Sequence, residues 1–98
     1  MISKNDLHDA LLETVSLSTK HNVYDNVTDY LIWCKSTYGI HDWVVATSTK
    51  NNQGMEQLIV IIVIQINANS SDPSWRYEFN VPPEDPYSRY DEAMKIIG

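Results

Sequence analysis

The chain has 98 residues with 43% hydrophobic content, enough for one compact domain over residues 1–98 with one core, and too few for two. Thirteen acidic residues against seven basic ones give a formal net charge of −6, which disfavours nonspecific attraction to nucleic acid or to an anionic membrane and directs any charge-guided partner toward a basic surface. The lone Cys34 excludes an intramolecular disulfide, and MISKNDLHDALL lacks the continuous apolar run of a secretory signal, so a cytoplasmic protein is expected.

Asn5 is a good N-cap, with Asp6 and Asp9 in the turn that follows, where the helix dipole favours negative charge. Leu7, Leu11 and Val15 recur every four residues beside Ala10, which predicts an amphipathic helix over about 6–18. Lys20, His21 and Asn22 form the connection. A second helix is predicted from about Asp25, with Val27, Leu31, Cys34 and Tyr38 on one stripe and Gly39 at a left-handed C-terminal cap.

From Asp42 the period changes to two: Trp43, Val45, Thr47 and Thr49 alternate with Val44, Ala46 and Ser48, and Asn51-Asn52-Gln53-Gly54 supplies turn chemistry for a hairpin. The run Leu58–Ile66, LIVIIVIQI, is far shorter than the roughly 20 apolar residues a spanning helix needs. Every apolar residue from Ile59 to Ile66 is β-branched, the composition of a buried strand. A third strand follows the turn at 69–74, with Trp75, Tyr77, Phe79 and Val81 on one face and Arg76, Glu78 and Asn80 on the other. Pro82, Pro83 and Pro86 end it. Asp85-Pro86 suit an N-cap and first helical position, and Tyr87, Tyr90, Met94 and Ile97 form the stripe of a last helix.

The expected fold is therefore α+β: two N-terminal helices, a three-stranded antiparallel β-meander and a C-terminal helix. In a meander the apolar run is the middle strand. Leu58, Val60, Ile62, Ile64 and Ile66 line one side of it, leaving Ile59, Ile61 and Val63 on the other, beside Arg76, Glu78 and Asn80. That second face is expected to be covered either by the C-terminal helix or by a second copy in a homodimer.

Catalytic chemistry finds little support. Cys34 lies on the inward stripe of the second helix, as a small core residue does rather than a thiolate nucleophile. His41-Asp42 reads as a loop pair at the start of a strand. His8, His21 and His41 lack metal-ligand spacing, and Gly39, Gly54 and Gly98 are isolated, so neither a metal nor a glycine-rich phosphate loop is expected. The pairs Glu84-Asp85 and Asp91-Glu92 are expected to be solvated, without the burial that would separate two carboxyl groups into acid and base. Trp75, Tyr77 and Phe79 resemble a base-stacking platform, but only Arg76 is interleaved, and core packing is the better reading. The chain is read as no enzyme, with no cofactor.

The acids remain. Asp6, Asp9 and Glu13 fall at spacings of three and four, forming a stripe opposite Leu7, Leu11 and Val15, and Asp25 and Asp29 do the same on the second helix. Lys20 alone stands near enough to offset Glu13. Two readings follow. In the first, the protein is a non-catalytic acidic inhibitor whose carboxylates block the basic nucleic-acid-binding surface of a partner enzyme or DNA-binding protein, with the steering that DNA itself would use. In the second, it is a dimerising structural or adaptor module that binds through the leftover sheet face, its acids serving solubility.

In size, charge, acid stripes and Ile- and Asn-rich usage, the chain resembles the small acidic proteins that bacteriophages direct against restriction enzymes and related defences, some of them DNA mimics. That resemblance implies an anti-restriction inhibitor acting in the host cytoplasm. Locally, DLHDALLETVSL followed by YDNVTDYLIWC is similar to the first two helices of the barstar family of nuclease inhibitors. The likeness aligns Asp29 with one inhibitory carboxylate of that family. Trp33 stands where the more important one would be, and the strand that precedes those helices has no counterpart.

Overall fold

The computed structural model describes residues 2–69 and 73–82, which form two helices followed by a three-stranded antiparallel sheet. Helix α1 spans Lys4–Ser16 and is capped by Ser3, two residues before the expected Asn5. Ser3 is extended, at φ −76° and ψ 158°, and its Oγ accepts from the backbone N–H of Asp6 at 3.1 Å, satisfying one of the amides that a helix start leaves unpaired. The Lys4 carbonyl, in the first turn, accepts from the Tyr77 hydroxyl at 3.0 Å, which ties the helix to the third strand.

Two short-range bonds shape the turn between the helices. The Asn22 side chain accepts from Thr19 N–H at 2.7 Å and so makes no capping bond for α2, which spans Val23–Tyr38. Ser18, a buried polar residue, donates to the Thr14 carbonyl at 2.7 Å and accepts from Asn26 Nδ2 at 3.0 Å. It is thus a satisfied joint between the helices. Gly39 ends α2 at φ 74°, its N–H donating to the Lys35 carbonyl, the left-handed cap that glycine adopts at little steric cost.

Strands β1, Asp42–Asn52, and β2, Met55–Gln65, pair along their whole length from Asp42↔Gln65 to Asn52↔Met55. The hairpin turns on Gln53 and Gly54, with φ of 55° and 82°, the two positive values a two-residue type I′ turn requires. Asn51 Oδ1 accepts from Gly54 N–H at 3.1 Å. Strand β3, Trp75–Asn80, pairs with β2 from Ile59↔Asn80 to Ile64↔Trp75, so β2 is central.

Both helices lie on one face of the sheet, α2 against β1 and α1 against β3. Leu7, Leu11 and Val15 from α1, Val23, Val27, Leu31 and Cys34 from α2, and Val60, Ile62 and Ile64 from β2 are fully buried in one core, closed by Tyr77, Phe79 and Val81. Burying side chains of this size stabilises by about 1.5–3 kcal/mol each relative to exposure.

The expected architecture is corrected at its C-terminal end. What is observed over the described residues is α+β with two helices and three strands; the third helix expected from Asp85-Pro86 lies outside the described residues. The core of the described residues closes with α1 and α2 on the helix-facing side of the sheet.

Candidate functional site

Because the apolar stripes of α1 and α2 both enter the core, the opposite sides of these helices form the outer surface of the molecule. Asp6, Asp9 and Glu13 on α1 and Asp25 and Asp29 on α2 are all exposed there. Asp9 meets His8 Nδ1 at 3.1 Å. Between described residues, none of the five carboxylates pairs with a lysine or arginine, and the Arg76–Glu78 pair, at 3.9 Å, lies on the sheet. The basic residue of α2, Lys35, sits over the Trp43 ring with its Nζ 5.8 Å from the centroid, directed to the sheet and away from the acids.

The five acids are not equivalent. Asp6 and Asp25 occupy the first turns of their helices, where a carboxylate is stabilised by the dipole and by unpaired amides whether or not a partner exists. Asp9, Glu13 and Asp29 have no such role. They stand farther along the helices, and the charge of Glu13 is felt at Tyr30 on the neighbouring helix.

The sequence reading missed the apolar members of this surface. Ile32 and Trp33 are 54% and 50% exposed on α2. Trp33 is nonetheless held in place: Tyr30 stacks on it at 5.7 Å between ring centroids, and Tyr38 meets it edge-on at 5.4 Å. A half-exposed indole fixed by two rings presents apolar area with little rotamer entropy left to lose. One signal was available in the spacing, since Ile32 follows Asp25 and Asp29 at helical intervals and so interrupts the polar stripe.

The other candidates resolve into structure. Burial pushes the Cys34 thiol up, against a smaller opposing effect of its bond to Tyr30, which suits a core residue and not a nucleophile. His41 donates its backbone N–H to the Gln65 carbonyl at 2.9 Å, and the Asp42 carboxylate accepts from Trp43 N–H at 2.8 Å, so this pair fastens the start of β1. Tyr77 and Phe79 are buried under α1, with the His8 ring over Phe79 at 5.2 Å, leaving no open stacking platform. Among the described residues no group of three or more His, Cys, Asp or Glu is placed to hold a metal ion, and no helix is long and apolar enough to cross a membrane. Glu84, Asp85, Asp91 and Glu92 lie outside the described residues.

On the second face of the sheet, Ile59 is buried at 7% exposure, Ile61 and Val63 are half-buried, and Val44 is 63% exposed. No protein-family model matches the chain, and comparison with curated proteins and with solved structures finds no match.

Proposed function

We propose that this protein is a non-catalytic inhibitor or interaction protein that uses the outer surface of α1 and α2 to cover a basic, nucleic-acid-binding surface of another protein. The observation that carries the reading is the exposure of five carboxylates on one layer, none paired with a lysine or arginine of the described residues. Like charges at helical spacing cost a few tenths of a kcal/mol per pair, and Asp9, Glu13 and Asp29 recover none of that cost from a helix terminus. A basic groove would recover it. Ile32 and Trp33 supply the apolar anchor that a charged contact needs in order to dissociate slowly.

The reading is tested by capture from a bacterial lysate on immobilised protein, followed by elution with salt. Nucleic-acid-binding proteins should be retained at about 50 mM salt and released by about 500 mM, as the Debye length contracts, and duplex DNA should displace them. Retention that salt leaves unchanged, or that DNA does not displace, would refute the occupation of a nucleic-acid groove.

A further inference from the structure

The second face of the sheet carries a self-complementary pattern, independent of the helical surface and its proposed role. Two adjacent rows cross the three strands there: Val44, Val63 and Arg76 in one, and Ala46, Ile61 and Glu78 in the next. Read across the sheet, each row runs apolar, apolar, charged, and the two charges are opposite in sign. A two-fold axis lying against this face, perpendicular to the strands and between the two rows, would set each row over the other row of a second copy. Arg76 would then face the partner's Glu78, Ile61 the partner's Val63, and Val44 the partner's Ala46. All three pairings satisfy the requirement of an isologous contact, in which residue i meets j and j meets i.

We propose that this face binds a second copy of the chain, making a four-layer dimer in which the two sheets pack face to face and the helices lie outside. Charge argues for this occupant over an unrelated protein. Arg76 and Glu78 are 3.9 Å apart within one chain, at the limit of an ion pair, and their side chains remain 59% and 44% exposed, accessible to a closer partner across the interface. The helical acids do not oppose the contact either. The acids of α1 and α2 face away from the sheet, and with sheets packing about 10 Å apart and a helical layer about 10 Å thick on each, they would be separated by several Debye lengths of about 8 Å. The dimer would present two acidic layers on opposite sides.

The test is sedimentation equilibrium on the full chain from about 1 µM to about 1 mM, the range that spans weak to moderate association. The mass should rise from the 11.3 kDa of one chain toward twice that value. Arg76→Glu, which sets Glu against Glu, should weaken dimerisation at least about tenfold, a factor worth 1.4 kcal/mol. The swapped variant Arg76→Glu/Glu78→Arg should restore it. Ile61→Lys should abolish it, with circular dichroism verifying that the chain remains folded; both charge positions are exposed, so the swap stays informative should Ile61→Lys unfold. A chain that stays monomeric throughout overturns the proposal. So does a dimer indifferent to the Arg76 reversal, as one formed through the open edge of β1 would be.

Discussion

The two faces of β2 are nearly identical in composition and, from Val60 to Ile64, differ in fate. Val60, Ile62 and Ile64 are fully buried beneath two helices, whereas Ile61 and Val63, their immediate neighbours in sequence, are half-buried beside Ala46, Arg76 and Glu78. β-Branched content makes the segment a strand; the neighbours across the sheet decide which side becomes core. On the inner side Trp43, Val45, Tyr77 and Phe79 extend the apolar surface until α1 and α2 close over it, while on the outer side β3 contributes only polar residues.

This contrast predicts its largest effect in a pair of substitutions. Ile62→Ala should lower the unfolding free energy by about 2–5 kcal/mol, because a cavity opens in a core that cannot collapse around it. Ile61→Ala should cost about 1 kcal/mol in the monomer, since the site is already partly open to water. Denaturant unfolding at low protein concentration distinguishes the two, and equal losses would show the outer face to be as closed as the inner one.

Alkali separates the buried phenols from the exposed face. Burial pushes the Tyr77 phenol up to about 12 from 10.0, and burial is also the main cause of the raised value of Tyr30, to which a bond with Cys34 adds. The folded state therefore holds these protons more tightly than the unfolded state. The stability they confer is fully present below pH 10 and is lost as pH rises toward 12. Melting temperature should be insensitive to these groups near neutrality and should fall across that window. Tyr77→Phe should shallow the fall and cost about 1 kcal/mol at pH 7 for the lost bond to Lys4. An unchanged alkaline slope would mean that the buried phenol does not govern it.

Smaller effects are expected at the helix and hairpin ends. Ser3→Ala should cost about 1 kcal/mol and Asn5→Ala a few tenths, reversing the order that Asn5 as the cap would give. Gln53→Gly should stabilise by about 0.5 kcal/mol by relieving a positive φ in a residue with a Cβ; thermal melts of the three variants check both statements.

The inward stripes were legible because their spacing alone decides them: Leu7, Leu11 and Val15, or Trp75, Tyr77 and Phe79, share a face in any helix or strand that contains them. The hairpin was legible for a similar reason, since Asn51 to Gly54 combines residues that accept positive φ with one that bonds its own turn. The start of α1 was not. Ser3 and Asn5 are comparable caps by residue type, and the spacing of the apolar stripe does not choose between them. The role of Asn22 was hidden likewise, because its side chain serves Thr19 instead of the helix that follows.

For the candidate surface, the acids were legible as stripes, but their inequality was not. With the helix starts fixed, Asp6 and Asp25 fall in first turns, leaving Asp9, Glu13 and Asp29 without a helix-end role. Trp33 entered the sequence reading only through the barstar likeness, not as an apolar anchor held by Tyr30 and Tyr38. Its position can be read from the helix period; its surroundings cannot.

That inequality supplies the most direct test of the proposed role. Asp9→Asn, Glu13→Gln and Asp29→Asn are combined in one variant, and both its melting temperature and its salt-sensitive retention of nucleic-acid-binding proteins are measured. The account predicts stability within about 0.5 kcal/mol of the parent and retention reduced at least about tenfold, which corresponds to 1.4 kcal/mol. Undiminished retention by a folded variant would contradict it and leave these carboxylates as ordinary solvated charge.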